Sequence, residues 1–237
     1  MTSFPAPLRR SVAVALSLGG IACVACAASP GAQTTAATPA APATPPDSRS
    51  AAAPTQDWQK LVDEWKYTQP LPDFELVAHT GKPFKLSELG DGYVFVGFIF
   101  THCQVRTACP LTMQKMKAVQ SEWFRLEASG GTKGRKLRLL TLTIDPENDT
   151  PAALKEYGEI YRVDFKDWTF ATGPEGLMRE GLPSMLGIMV MPDGQGTISH
   201  GVKASLIAPG LAVIESWDDN AFEAEQVVAK VLEHGAG

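Results

Sequence analysis

Two stretches of the chain are apolar enough to be strands at the centre of a sheet. Residues 93–100 (YVFVGFIF) are continuously apolar and aromatic, and residues 136–144 (KLRLLTLTI) are rich in leucine, isoleucine and threonine. A strand that is buried on both faces has this composition, whereas a half-buried strand alternates apolar and polar residues. We therefore expect both stretches to lie in the middle of one sheet.

Helical patterns alternate with these strands. Residues 57–67 carry tryptophan and aliphatic side chains at helical spacing. A helix over 110–128 begins with proline, which favours a first helical turn, and Thr150 is the predicted cap of a helix over 151–162. The other predicted elements are a small hairpin from Phe74 to Leu86, strands at 168–172, 188–191, 202–207 and 213–216, a helix over 175–186 that Pro183 interrupts, and an amphipathic helix over 222–234.

This alternation predicts an α/β domain with one helix layer on each face of the sheet. Cys103 and Cys109 come directly after the first central strand and just before a helix, an order that is typical of the thioredoxin-type arrangement. We predict that residues 57–237 form a thioredoxin-like, three-layer fold with a central mixed sheet and an N-terminal hairpin.

The first 28 residues have the pattern of an export signal, because Arg9 and Arg10 precede an apolar stretch that ends in small residues. The stretch is short for a membrane-spanning helix, and Cys23 or Cys26 offers a site for lipidation. A lipid anchor and an uncleaved helix are favoured equally over a cleaved, free form. We expect residues 1–28 to hold the protein at the periplasmic face of the cytoplasmic membrane.

Residues 29–56 are mostly alanine, threonine, proline and serine. They cannot bury enough apolar surface to offset the loss of chain entropy, so we predict a disordered linker. The linker would let the domain reach a partner at the membrane surface, and a plain spacer is the alternative.

The formal net charge is −5, and Arg9 and Arg10 are the only charged residues before Asp47. The predicted domain is therefore more acidic than the whole chain. An acidic domain repels phosphate backbones, which excludes nucleic acid as an expected partner. A tethered acidic domain is compatible with a monomer.

The predicted domain contains two cysteines, Cys103 and Cys109, between a strand and a helix N-terminus. The partial positive charge of a helix N-terminus lowers the pKa of a nearby thiol, and the thiolate attacks disulfides or binds metal, with Cu(I) or zinc preferred over hard ions. A structural disulfide is the simpler alternative. It would close a short loop and stabilise the fold by only about 2 kcal/mol, so redox or metal chemistry is favoured.

Several segments resemble the Sco/SenC family of copper chaperones, over roughly residues 70–235. They are LPDFELVAHTGKPFKLSEL, VGFIFTHC with CPLT after it, LTIDPENDTPAALKEYGEIY, WTFATG and SHGVKASLIAPG. The resemblance implies a thioredoxin-like fold and one copper ion bound by Cys103, Cys109 and His200. It also implies a role in building the copper centre of cytochrome c oxidase, with that enzyme's copper-centre subunit or another copper chaperone as partner.

The cysteine segment departs from the family pattern. The family has three residues between its cysteines and a proline after each, whereas five residues separate Cys103 from Cys109 and Gln104 replaces the first proline. Of the other candidates, Asp149 is expected only to cap and orient the following helix, and for Asp145 both this role and a role in the site are open. The methionines of MLGIMVM are expected in the core, and His79 and His234 at the surface.

Metal transfer is favoured over enzymatic turnover as the function. A thiol–disulfide oxidoreductase without physiological copper is the main alternative, and Cys103 and Cys109 would then be its catalytic residues. A binding module with a structural disulfide is a third possibility. A peroxidase on the same fold is disfavoured, because Arg106 stands where that family has threonine three residues before its cysteine.

Overall fold

A computed structural model describes residues 56–66, 70–192 and 198–234. The predicted export signal or anchor and all but the last residue of the predicted linker lie outside these ranges. Within them, no helix is both long and apolar enough to cross a membrane.

The described chain alternates strands and helices as the sequence predicts, with boundaries that differ by a few residues and with one strand, β7 (Ile198–His200), that was not predicted. The strands are β1 (Glu75–Ala78), β2 (Pro83–Lys85), β3 (Tyr93–Ile99), β4 (Leu137–Thr143), β5 (Trp168–Thr172), β6 (Val190–Pro192), β7 (Ile198–His200), β8 (Lys203–Ile207) and β9 (Val213–Asp218). The α-helices are α1 (Trp58–Glu64), α2 (Cys109–Ala128), α3 (Pro151–Ile160), α4 (Leu182–Met185) and α5 (Ala224–Glu233).

Seven strands form one mixed sheet in the order β2-β1-β5-β4-β3-β8-β9. β3 pairs in parallel with β4, and β4 in parallel with β5, while the other neighbours are antiparallel. β1 and β2 form the predicted N-terminal hairpin. β6 and β7 form a separate two-stranded ribbon. The predicted fold class, a mixed sheet in a thioredoxin-like α/β domain, is confirmed.

The central strand β3 is buried along its whole length, as predicted. Phe95 and Ile99 enter a core with α2, α3 and α5. Val96 and Phe98 point the other way, into a core with α1, α4 and the hairpin. The period-2 alternation of a strand therefore builds two apolar cores from one continuous apolar run.

Gly97 explains why α2 packs so closely on β3. A Cβ atom at this position would lie 2.6 Å from the Met116 sulfur and 3.3 Å from the Thr112 methyl group, both on α2. Because glycine has no Cβ atom, the helix can approach the strand here. The first turn of α2, which contains Cys109, therefore lies directly beside the end of β3.

The predicted helix over 175–186 is two elements. A π-helical turn, Leu177–Gly181, leads into α4, where Pro183 stands in the first turn. Proline is tolerated in a first turn because it has no amide hydrogen to donate there. Pro183 therefore stands at the start of a short helix, and the N–H of Leu182 just before it donates to the carbonyl oxygen of Leu177 in the π-helical turn.

Candidate dithiol and histidine site

The loop from β3 to α2 carries both cysteines of the described chain. Cys103 is half-buried in the loop, and Cys109 is fully buried as the first residue of α2. Both are free thiols, and their side chains share a hydrogen bond. The residues between them, from Gln104 to Thr107, are exposed. The longer spacing is therefore taken up by loop that faces solvent, while the two thiol side chains still interact.

This hydrogen bond makes the two thiols unequal. The Cys109 side chain lowers the pKa of Cys103 to about 5, with backbone hydrogen bonds and the nearby His200 acting in the same direction against partial burial. The pKa of Cys109 is raised, first by the same hydrogen bond and then by burial. Cys103 is thus the thiolate at neutral pH, and Cys109 is the proton donor to it. Sequence reasoning had left open which cysteine is the nucleophile.

His200 lies beside this pair. Its Nδ1 atom is 2.8 Å from the carbonyl oxygen of Gly201, and its Nε2 atom is 3.8 Å from the sulfur of Cys109. A carbonyl group only accepts, so Nδ1 carries a proton and donates it, and in the neutral form of the ring the Nε2 lone pair faces the sulfur. The Phe100 ring packs against the imidazole in a T-shaped contact. His200 is the last residue of β7.

The other histidines lie elsewhere. His102 is exposed, with Nδ1 3.1 Å from the hydroxyl of Thr101. His234 is exposed as expected. The expectation that His79 is exposed was wrong: it is half-buried, 4.5 Å from the Phe165 ring centroid, and burial lowers its pKa. A turn position did not indicate this, because the covering ring comes from a distant segment.

Asp149 has a different role from the one predicted. Thr150, not Asp149, caps α3, by accepting a hydrogen bond from Ala153 N–H. Asp149 is fully buried and accepts from the backbone N–H of Thr101 at 3.1 Å, and from the hydroxyls of Thr101 and Thr143. Burial raises its pKa, against those hydrogen bonds. The carboxyl group therefore clamps the start of the cysteine loop to the end of β4.

Asp145 serves neither the cysteine loop nor the N-cap of α3. It lies 3.1 Å from the guanidinium of Arg179, on the π-helical turn, and accepts a hydrogen bond from the Asn148 side chain. Arg179 also pairs with Glu147 and Glu175. Asp145 thus connects the turn after β4 to the π-helical turn Leu177–Gly181.

A second clamp holds the far end of the loop, and sequence reasoning missed it. Asn220 is buried, with its amide nitrogen 3.3 Å from the carbonyl oxygen of Thr107 and its amide oxygen 2.9 Å from the Thr112 hydroxyl. Asp219 and Asn220 have φ values of 51° and 57°, which these residue types adopt more readily than most. The residues before α5 therefore signalled a tight turn, but not its contact more than 100 positions away.

The methionines of MLGIMVM are only partly in the core. Met185 is buried, as expected, but Met189 and Met191 are 68% and 54% exposed. The expectation for these two was wrong because β6 belongs to the two-stranded ribbon and not to the central sheet. One face of such a ribbon is left uncovered.

In the part of the chain that the structure describes, no three His, Cys, Asp or Glu side chains form a ready-made metal site. The side chains of Cys103 and Cys109 interact with each other, and the sulfur of Cys109 also contacts His200. Two soft sulfur donors and one imidazole nitrogen are suited to Cu(I) among the common metal ions. The same two sulfurs, one ionised and one protonated, are also suited to thiol–disulfide exchange.

The fold and this site define a thioredoxin-like domain whose dithiol lies beside a histidine. The family model described as SCO1/SenC matches residues 65–235, and the chain belongs to this family. The SCO1 protein homolog of Bacillus subtilis is 27% identical over 162 residues, which are 68% of this chain and 78% of that protein.

Solved structures agree on the fold. A SCO1/SenC family lipoprotein from Bacillus anthracis superposes with a TM-score of 0.60 at 21% identity, over 69% of this chain and 94% of that one. Arabidopsis thaliana ScoI, solved with copper bound, superposes with a TM-score of 0.56 at 19% identity, over 68% and 95%. Similarity at these identities establishes the shared fold alone.

Proposed function

We propose that this protein is an exported copper-binding protein that helps to build the copper centre of cytochrome c oxidase. The copper ion is its cargo, held by Cys103, Cys109 and His200, one ion per chain. The observation that carries the proposal is the meeting of two free, hydrogen-bonded thiols with an imidazole whose Nε2 is 3.8 Å from the second sulfur. Copper bound to a structure of the same fold supports it.

The chain provides the donors in a suitable state. Cys103 is already ionised at neutral pH, so Cu(I) meets a thiolate without first displacing a proton. Cys109 must lose its proton as the ion binds, so uptake at the full site releases a proton. The Gly201 carbonyl fixes the His200 tautomer, which keeps Nε2 available to the metal.

The test is a titration of the reduced, full-length protein with Cu(I) against a competing chelator. We expect close to one copper per chain, and binding at least tenfold weaker in His200→Ala, a loss of about 1.4 kcal/mol or more. His102→Ala is the matched control, because this exposed histidine is next to Cys103 in sequence but is bonded to Thr101. Absence of tight copper, or binding that is indifferent to His200, would refute the ligand set.

The inequality of the two thiols favours a second candidate, thiol–disulfide exchange. The Cys103 thiolate would attack a client disulfide and form a mixed disulfide. Cys109, after losing its proton, would then displace the client, which leaves as a dithiol while Cys103 and Cys109 form a disulfide. Two electrons pass from this chain to the client.

Reduction of a model disulfide separates the two candidates. If exchange alone is the function, Cys103→Ser and Cys109→Ser abolish it while His200→Ala has wild-type activity and copper binding is absent. If copper delivery is the function, His200→Ala impairs copper binding. Both activities in one protein would mean that the same dithiol reduces the client's cysteines and delivers the ion.

The location and partner are also part of the proposal. Residues 1–28 would hold the protein, as a monomer, at the periplasmic face of the cytoplasmic membrane, within reach of the oxidase's copper-centre subunit or of another copper chaperone. Membrane fractionation of wild type and of a Cys23→Ala/Cys26→Ala variant tests the anchor. Release of the variant into the soluble periplasm indicates lipidation, whereas retention indicates an uncleaved helix.

A further inference from the structure

A groove of about 630 Å³ lies between α1, the π-helical turn and the start of β6. Its apolar wall includes Trp58 and Val62 of α1 and, across from them, Ile188, Met189 and Val190. The volume is within the range of pockets that hold a ligand, about 300–1,000 Å³. Met189 is 68% exposed, so part of this apolar wall is open to solvent. An open apolar surface of this kind is typical of a binding site.

The packing of α1 leaves one side of its apolar residues uncovered. A Cβ atom at Gly176 would lie 2.5 Å from the Trp58 ring, and one at Gly181 would lie 3.0 Å from a methyl group of Val62. The two glycines therefore let α1 pack closely on the π-helical turn. No residue of α1 is fully buried, however. The remaining surface of Trp58 and Val62 lines the groove.

The edge of β6 offers hydrogen-bonding groups to the same groove. Gly201 N–H donates to the Met189 carbonyl oxygen at 3.0 Å, which makes Val190 and His200 a non-hydrogen-bonded pair of the antiparallel ribbon. The backbone N–H and carbonyl of a residue in such a pair point away from the partner strand. Among the described residues, only β7 pairs with β6. Both backbone groups of Val190 therefore face an open strand edge, and Val190 lines the groove.

The charged groups around the groove favour a cationic ligand. Glu180 lines the groove and has no ion pair among the described residues. Lys203, whose ammonium group is close to Gly187 at the groove, is paired with Asp218. Each cation there already has a carboxylate partner, because Arg179 is paired with three: Asp145, Glu147 and Glu175.

We propose that this groove docks an extended segment of a partner protein, which adds to β6 as a third strand and carries lysine or arginine among apolar residues. The backbone of the segment bonds to Val190, its apolar side chains contact Trp58 and Met189, and its cation meets Glu180. The open strand edge favours a peptide over a small molecule, because N–H and carbonyl groups in this spacing match another backbone. A second copy of this chain fits less well, since a two-fold contact would oppose two acidic rims.

The docking surface is close to the histidine of the dithiol and histidine site. The added strand is next to β6, and β6 pairs with β7, which ends at His200. Neighbouring strands lie about 4.8 Å apart, so the backbone of the segment is about 10 Å from that of β7. The groove thus holds a partner beside this site. The proposal goes beyond the proposed function and does not depend on the copper ligands.

The test measures binding of a labelled synthetic peptide to the reduced, full-length chain by fluorescence anisotropy. The peptide is a heptapeptide in which valine alternates with lysine. One matched control has glutamate in place of lysine, and another has N-methyl groups on alternate backbone nitrogens. We expect the lysine peptide to bind at least about tenfold more tightly than either control. Hydrogen exchange should show new protection of the Val190 amide, whereas the Met191 amide, already bonded within the ribbon, should change little.

Val190→Pro removes the outward N–H without breaking the ribbon, because proline is tolerated at an open strand edge. Val190→Ala keeps that N–H and is the matched control. We expect Val190→Pro to bind the peptide at least about tenfold more weakly and Val190→Ala to bind it about as well as the wild type. Glu180→Gln should weaken binding and reduce its dependence on salt, because it removes the unpaired carboxylate.

Equal binding by Val190→Pro and the wild type, or an unprotected Val190 amide in the complex, would overturn the proposal. A dimer of the free chain in sedimentation, abolished by Val190→Pro, would also overturn it, because a second copy would then fill the groove. Cu(I) titration of Val190→Pro shows whether the ribbon still positions His200. Loss of copper binding in the wild type overturns only the proposed function, and loss of peptide binding in the wild type overturns only the docking surface.

Discussion

The reactivity of Cys103 depends on a single neighbour, and its removal is a quantitative test of the site. The largest cause of its low pKa, about 5, is the hydrogen bond from the Cys109 side chain. Cys109→Ala removes this donor, and the pKa of Cys103 should rise toward the ordinary thiol value of about 8.5. Cys109→Ser is the matched control, because a hydroxyl group can still donate to the thiolate.

Two effects oppose each other in the rate of attack on a small disulfide. A pKa lower by about 3.5 makes each thiolate roughly 40-fold less nucleophilic, for a Brønsted coefficient of about 0.45. At pH 6, however, a thiol of pKa about 5 is roughly 300-fold more ionised than one of pKa about 8.5. The wild type should therefore react about sevenfold faster than Cys109→Ala at pH 6.

The two profiles should cross near pH 7, where the gain in ionisation and the loss of nucleophilicity are about equal. At pH 8.5 the alanine variant should be the faster one by roughly 20-fold, and at higher pH by up to roughly 40-fold. The assay is the initial rate of attack on an aromatic disulfide between pH 4 and 10. A wild-type inflection near 8.5, or identical profiles for wild type and Cys109→Ala, would refute the assigned hydrogen bond.

Three further substitutions test the supports of the site. Asp149→Ala should lower the free energy of unfolding by about 3 kcal/mol in urea titrations, because buried donors including Thr101 N–H lose their acceptor; a loss below 1 kcal/mol would contradict the clamp. Since burial raises the pKa of Asp149, its unfavourable contribution should appear as pH rises from the unfolded carboxyl pKa toward the folded value, and Asp149→Asn should remove that pH dependence. Asn220→Ala should cost about 1–2 kcal/mol and weaken Cu(I) binding, whereas unchanged affinity would mean that the loop holds its shape alone. Thr150→Ala should cost about 1 kcal/mol by removing the cap on Ala153 N–H, with copper affinity unchanged.

Properties that depend on local chemistry were predictable. The buried strand β3, the helix that follows the cysteines and the cap at Thr150 were all expected at the places where they occur. A continuous apolar run, a proline in a first turn and a threonine before it act through neighbours a few residues away. Their consequences do not depend on the rest of the chain.

Burial of single side chains was less predictable. His79 was assigned to the surface because the Phe165 ring that covers it is distant in sequence. Met191 was assigned to the core, but it stands in the two-stranded ribbon and is exposed. Asp149 was taken for a helix cap because it precedes a helix, yet its partners are at the end of β3 and in β4. A carboxylate at such a position accepts from whichever donors the fold brings to it.

The sequence by itself determined the α/β class, the alternation of elements and the two cysteines at a helix N-terminus, because each follows from periodicity or from spacing within one segment. Only the tertiary structure decided which cysteine is the thiolate, since that depends on a hydrogen bond across the loop and on unequal burial. It also decided that His200, 91 residues after Cys109, lies 3.8 Å from its sulfur. Long-range pairing of strands and helices creates that contact, and no local pattern encodes it.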